Sequence, residues 1–369
     1  MDAADKSLKI IGAIVCSVAI SVTFVGNILV IEVVAKFRRL RTVPNFLLAG
    51  LATADIAVAL LVMPLLIVYD VERKWRFGSI ACHFWISCDV MCCTASILHL
   101  CVIALDRFFA ITRPLRYRSL ISKRLVTLVI MSIWLFSATI SFIPIFLGWY
   151  SDGSDPEDIT ECSLRVNPIY AIVSSCFSFY LPLPVMFYVY IRILIIAEHQ
   201  AREIKQLELS LQATNQNVRK CLRRKSKQLI TDTKAIRTLG IIMGVFCICW
   251  LPFFLMYIIL PYCERCDVSY EVRSAITWLG YFNSFFNPCI YAFLNKDFKE
   301  AFRRVLCCKK DTEMNGAALE EVSSASRSCL RVDKLQHDVV TPELRTPSIT
   351  SEMAGPVWPS IVSDLKYDV

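Results

Sequence analysis

Seven stretches of the chain run apolar for about 20 residues or more: 10–31, 46–69, 80–105, 125–149, 168–191, 239–260 and 275–294. That is the length a helix needs to cross the hydrocarbon of a bilayer. Acids interrupt them only at Asp55 and Asp89. The pattern predicts an all-α chain, a seven-transmembrane helix bundle. Residues 293–306 come next with a different rhythm: Phe298, Phe302 and Leu306 face one way, Lys299 and Arg303 another. That spacing predicts a short amphipathic helix on the membrane surface after the seventh span.

The polar segments set the boundaries. Residues 1–9 form an extracellular tail, 10–308 the seven-helix domain, and 309–369 a cytoplasmic tail rich in Ser, Thr, Glu and Pro, whose composition predicts disorder. An inner loop runs from about 195 to 230. It starts as a helical extension of span five, where Glu198, Arg202 and Lys205 keep helical spacing, then turns polar and basic. The first span has 22 uncharged residues and basic residues after it, so the expectation is a retained anchor, not a cleaved signal. No internal repeat is visible.

Charge gives the orientation. Lys36, Arg38, Arg39 and Arg41 follow span one; Arg113, Arg116, Arg118, Lys123 and Arg124 follow span three. Basic clusters also follow spans five (Arg219, Lys220, Arg223, Arg224, Lys225) and seven (Lys296, Lys299, Arg303, Arg304). The alternate loops lack the excess, and the one after span four is acidic. Positive residues stay inside, so the N-terminus is predicted outside and the C-terminus inside, in a multi-pass protein of the plasma membrane. The net charge of +8 is thus a topology charge, not a nucleic-acid patch. Hydrophobic residues make up 56% of the chain, with mean hydropathy +0.52, more than a soluble domain of this size needs.

The 17 cysteines divide by side. Cys82 opens span three on the outer face and Cys162 lies in the outer loop after span four; Cys263 and Cys266 share the outer loop after span six. The outside oxidises, so disulfides Cys82–Cys162 and Cys263–Cys266 are expected. Cys307 and Cys308 follow the last helix at the inner face, where palmitoylation and contact with membrane lipid are expected.

Asp89 and Arg107 sit 18 residues apart on one predicted helix. Five turns place them on one face, about 27 Å apart, close to the hydrocarbon thickness. An ionisable group inside the membrane costs about 2.5–3.5 kcal/mol on insertion scales, so each marks a functional position. The outer half of no span offers a Lys or Arg to neutralise Asp89.

Motifs along the spans then point to a family. They are Gly26-Asn27 in span one, Leu51-Ala52 with Asp55 in span two, Asp106-Arg107-Phe108 closing span three and Trp134 in span four. Pro182 and Tyr190 in span five, Phe246-x-x-Cys249-Trp250-x-Pro252 in span six and Asn287-Pro288-x-x-Tyr291 in span seven complete the series. In this order and on these helices they resemble a rhodopsin-like G-protein-coupled receptor, over residues 10–308.

The outer half resembles the biogenic amine subfamily. Asp89 looks like the aspartate that binds a ligand ammonium, by a charge-assisted hydrogen bond. Val90 and Cys93 beside it belong to the same expected site. Trp250, Phe253, Phe254 and Tyr257 form one stripe on span six, with Trp278 and Tyr281 on span seven, and aromatic walls suit a cation. Ser174, Ser175 and Ser178 on span five offer hydroxyls to a phenol or catechol; the bland alternative is back-bonding to their own helix. Tyr257 and the stretch 140–150 most resemble beta-adrenergic-like octopamine receptors, which implies octopamine or a related phenylethylamine as ligand. Residues 232–244 and 291–296 also resemble stimulatory serotonin receptors, so serotonin and dopamine receptors of the cyclic-AMP-raising type stay open.

The resemblance also implies a switch. Asp55, Ser96, Asn283 and Asn287 would surround an allosteric sodium ion; no other cofactor is expected. Ile97, Pro182 and Phe246 would repack when Trp250 moves, and Pro252 and Pro288 would act as hinges. Arg107 would pair with Asp106 and with Asp232 in the resting state, and Tyr190 and Tyr291 would fill the space left on opening. Phe108 stands where Tyr is commoner, which implies one inner-loop hydrogen bond fewer; Asp232 replaces the usual Glu, which implies a looser lock. The implied partners are a heterotrimeric stimulatory G protein, and receptor kinases and arrestin at the tail. Arg223-Arg224-Lys225-Ser226 resembles a cyclic-AMP-dependent kinase site, with Ser226 the acceptor.

Other classes fit less well. A light receptor would need a lysine in span seven, and Tyr281 holds that place. A transporter would show inverted repeats and broken helices. No nucleophile, base and orienting group converge, so no enzyme is expected.

Overall fold

The computed structural model describes residues 3–113, 116–117, 119, 121–150, 162, 166–210, 238, 240–263, 265–266 and 268–307. The expectations placed on Asp232, Ser226, Cys308 and residues 309–369 fall outside them.

The described residues are helical, without strands. The helices are α1 (Ala3–Lys36), α2 (Val43–Glu72), α3 (Gly78–Thr112), α4 (Lys123–Phe146) and α5 (Pro168–His199, continuing to Ser210). They continue with α6 (Gly240–Tyr262), α7 (Tyr270–Leu294) and α8 (Lys296–Leu306). Helix α1 begins at Ala3, inside the segment read as a tail. Six helices are long and apolar enough to cross a membrane by length and composition. The seventh, α7, has 25 residues and buries Asn283, Ser284 and Asn287 in its interior, which lowers its apolarity.

The outward faces carry Ile10, Ile14 and Val18 on α1, Leu128, Met131 and Leu135 on α4, and Ile248 on α6, all exposed. So continuous an apolar surface suits lipid, not water. Helix α3 is the central post. It packs on α2, α4 and α5, and 61% of its most apolar stretch is buried, against 22% for α1 and for α4. Helix α1 lies on α2 and α7, and α8 packs on both α7 and α1.

Local chemistry sets the helix ends. Ser122, Asn167, Ser269 and Asn295 accept backbone N–H groups as caps of α4, α5, α7 and α8. Such caps satisfy donors that a helix start leaves free. In α8, Phe298 and Phe302 are buried as the pattern predicts. Leu306, at its last residue, is 67% exposed. Arg39 bonds Asp297 at 2.8 Å and ties the first inner loop to α8.

Two helices change phase. Helix α2 makes a π turn at Val58–Val62 and α5 makes one at Cys176–Tyr180. A π turn inserts a residue and rotates the rest of the helix beyond it, here by about 100°. The Val62 carbonyl accepts from the Trp85 indole at 3.1 Å. Cys82–Cys162 and Cys263–Cys266 are joined, with Cα separations of 5.8 and 5.3 Å.

Candidate ligand-binding site

A cavity of about 40 Å³ lies between α3, α5, α6 and α7. It is lined by Asp89, Val90, Cys93, Thr94, Ser174, Ser178, Trp250, Phe253, Phe254, Tyr257, Thr277 and Tyr281. A wider vestibule of about 930 Å³ shares Asp89, Phe253, Tyr257, Thr277 and Tyr281 with it. The structure thus brings every expected ligand residue to one cavity except Ser175 and Trp278. Ser175 is fully buried and bonds the Ala171 carbonyl of its own helix. Trp278 points its indole N–H at Asp70, 2.8 Å away.

At the acid end, the Cys93 thiol donates to Asp89 Oδ1 at 3.2 Å, and Tyr281 lines the same cavity. The lining of the small cavity includes neither Lys nor Arg. Asp89 also lines the vestibule, whose wall carries Lys9, Arg73 and Arg273. At the other end Ser174 Oγ donates to the Tyr170 carbonyl at 2.6 Å and lies 3.3 Å from Tyr257 Oη. Ser178 shares a 2.8 Å hydrogen bond with Thr94 of α3. The π turn of α5 contains Ser178, which lines the cavity together with Ser174. Phe253 stacks on Tyr257 at 5.7 Å and meets Trp250 edge-on, so the wall between the two ends is continuous ring.

Thr94 and Thr277 were not expected. Thr277 is one turn before Tyr281, a spacing that could have placed it. Thr94 sits in an apolar run between Cys93 and Ala95 with no signal of its own.

Below the cavity the rings continue. Trp250 contacts Phe254 at 5.8 Å, Phe254 stacks on Phe179 at 4.4 Å, and Phe179 meets Phe246 at 5.7 Å. Phe246, Ile97 and Pro182 are all buried. Phe179 is the link that the sequence concealed among other aromatics. The Trp250 ring lies over α7 at Gly280, where a Cβ would come within 3.0 Å of it.

Deeper still, Asp55 is fully buried. It accepts from Ser96 at 3.1 Å, Ser284 at 2.8 Å and Asn287 at 2.8 Å. Asn283 is buried beside this group with both side-chain polar atoms unpartnered, as is the Tyr291 hydroxyl. Ser284 was the unexpected member of the set.

At the inner end, Asp106 accepts from Arg107 at 2.6 and 3.1 Å. Its other oxygen accepts from Tyr117 Oη at 2.7 Å, an inner-loop bond that the sequence did not reveal. Burial, then the bond to Asp106, pushes the Tyr117 phenol above its ordinary range, so it remains a donor. Tyr190 lies against Gly240 at the base of α6.

Comparison with known proteins agrees with this layout. The 7 transmembrane receptor (rhodopsin family) pattern matches residues 26–291. The chain is 38% identical over 334 residues to the octopamine receptor beta-2R of Drosophila melanogaster, 82% of this chain and 62% of that protein. It is 39% identical over 333 residues to dopamine receptor 1 of the same fly, 83% and 65% respectively. With the D(1)-like dopamine receptor of Oreochromis mossambicus it shares 40% over 316 residues, 83% and 81%. The chain thus spans less than two thirds of the two fly relatives. Seven helices, the inner Asp106-Arg107 pair and a match across most of the chain lead to one assignment: the protein belongs to the rhodopsin family of 7 transmembrane receptors.

Proposed function

We propose that this receptor binds a biogenic amine, octopamine or a related phenylethylamine, and activates a stimulatory G protein to raise cyclic AMP. The observation that carries the reading is Asp89. It lies on a cavity walled by Trp250, Phe253 and Tyr257, with serine hydroxyls from α5 in the same lining. The ammonium would bond Asp89 with charge assistance and meet the ring faces. The ring hydroxyl would meet Ser174 and Ser178.

The receptor would sit in the plasma membrane with its N-terminus outside. Ligand pressure on Trp250 would pass along Phe254, Phe179 and Phe246 and free Arg107 from Asp106 and from Asp232. Kinases and arrestin would act at the tail, Ser226 would provide feedback, and Cys307 and Cys308 would take lipid. A sodium ion fits the Asp55 pocket: Asp55, Ser96 and Asn283 offer hard oxygens, and the orphaned Asn283 amide wants a partner. Bound there, it would supply positive charge that holds the closed packing.

A second reading is dopamine, favoured by the 39% identity to a dopamine receptor and by two cavity serines that suit the two hydroxyls of a catechol. The test is cyclic AMP in transfected cells with octopamine, tyramine, dopamine, noradrenaline and serotonin. Octopamine or another phenylethylamine should raise it, and potency order separates the two readings. No response to any of them, or a fall in forskolin-driven cyclic AMP, overturns the proposal.

A further inference from the structure

One carboxylate joins the outer ends of α2 and α7. Asp70 Oδ1 accepts from the Tyr270 hydroxyl at 2.6 Å. Its Oδ2 accepts from Ser274 Oγ at 2.9 Å and from the Trp278 indole N–H at 2.8 Å. The donors are spaced four residues apart, so a single acid holds two successive turns of one face of α7. The π turn at Val58–Val62 sets the direction of Asp70, because it rotates the outer end of α2. Arg73 closes the top: its guanidinium is 3.7 Å from the Tyr270 ring centroid and 3.0 Å from Glu271.

This cluster lies outside the small cavity, whose lining includes neither Asp70 nor Trp278. It reaches that cavity through two rings. Trp278 is 7% exposed and meets Tyr281 edge-on at 6.0 Å. Tyr281 is 2% exposed and shares the cavity wall with Asp89. A buried ring held at one end by a hydrogen bond and packed edge-on against a second ring leaves that second ring little freedom.

We infer that Asp70 is a positioning residue for the amine counter-ion. It fixes Trp278, Trp278 fixes the Tyr281 ring, and the Tyr281 hydroxyl aims the Asp89 carboxylate at the cavity. The inference rests on the amine reading of Asp89 and adds how that group is held. A simple tie between α2 and α7 would act on stability alone. A positioning role must act through the Tyr281 hydroxyl, and this difference is measurable.

The experiment is a binding cycle on the full-length receptor in cell membranes. The probe is whichever of the five amines named above is most potent on the wild type. Asp70→Leu keeps the bulk of the acid without its acceptors, and Tyr281→Phe removes only the hydroxyl. Each should weaken the probe about tenfold, the scale of one hydrogen bond to a charged group. The double variant should bind no worse than Tyr281→Phe alone. Trp278→Phe, which keeps a ring but no N–H, should repeat the loss, and Asp70→Asn should recover part of it. Independent losses that multiply to about a hundredfold in the double, or Asp70→Leu at wild-type affinity, overturn the inference. If Asp70→Leu does not reach the surface, Trp278→Phe takes its place in the cycle, and multiplying losses or wild-type affinity again overturn the inference. Failure of the amine reading looks different: no amine binds the wild type, or Asp89→Asn binds as the wild type does.

Discussion

Gly240 sits against the hydroxyl end of the Tyr190 ring, which fills the space that a side chain there would take. A Cβ built there would overlap the Tyr190 hydroxyl and come to 2.5 Å from Cζ. Ordinary carbon contacts need about 3.5–4.0 Å, so in Gly240→Ala the ring must retreat by about 1 Å or more. Forcing a methyl into such a space costs about 1–3 kcal/mol. Alanine also favours the helix over glycine by about 1 kcal/mol, but α6 is helical in both receptor states, so that gain cancels. The overlap belongs to the closed arrangement, in which Arg107 is still bound to Asp106. The cost therefore falls on the closed state alone and shifts the closed–open ratio by about 5- to 150-fold. With an open fraction of about 1% at rest, the fraction becomes about 5% to 60%.

The assay is agonist-free cyclic AMP at matched surface expression, paired with agonist affinity. Both should rise together, because one equilibrium drives them. In a Tyr190→Leu background, which removes the ring, Gly240→Ala should be silent. Unchanged basal signal and unchanged affinity would refute the reasoning. A fall in both would place the Tyr190–Gly240 contact in the open state instead.

The same geometry makes three further outcomes measurable. Asp89→Asn should nearly abolish amine-driven cyclic AMP while surface expression persists; unchanged potency would move the ammonium elsewhere. Ser174→Ala and Ser178→Ala should each weaken hydroxylated phenylethylamines by about 0.5–1.5 kcal/mol in competition binding and leave analogues without the ring hydroxyl unaffected; equal losses for both ligands would make the serines structural. Gly50→Ala should lower surface expression and thermal stability in detergent, because a Cβ there lies 2.6 Å from Nε2 of the fully buried His99. His99→Ala in the same chain should restore both, and a deficit that persists would show that the crowding is not the cause.

What the sequence made legible has a physical pattern. Composition alone places helices in a bilayer, so the spans emerged from apolar run length. Asp89, Asp55 and the Asp106-Arg107 pair stood out because a charge in such a run is costly. The aromatic stripe of α6 was legible because 3.6-residue spacing needs no partner to recognise. The hidden features depend on phase or on partners. The π turns in α2 and α5 leave composition unchanged but rotate everything beyond them, so the aim of Asp70 could not be read from spacing. Tyr117 reaches Asp106 only because the inner loop folds back. Trp278 was expected at the ammonium from resemblance, and its indole goes to Asp70 because that acid sits across from it on a different helix. A partner brought by tertiary packing leaves no trace in the local pattern.

Four acids line this route through the bundle, and their donors explain why a ligand cation would choose one of them. An ionised carboxylate has about four acceptor positions. Asp70 takes three neutral donors and Asp55 takes three, while Asp106 takes a two-point contact from Arg107 with a phenol besides. Asp89 takes the Cys93 thiol, and a thiol is the weakest donor in the group. Of the four it is also the one on the wall of the small cavity. Three of the acids are thus held, and the fourth is left short of donors where the proposed ammonium would arrive. An ammonium that displaces the Cys93 thiol from Asp89 replaces a weak bond with a charge-assisted one. On the proposed amine reading, this exchange would favour a charged ligand over its neutral isostere, with Cys93 as the placeholder that the amine would displace.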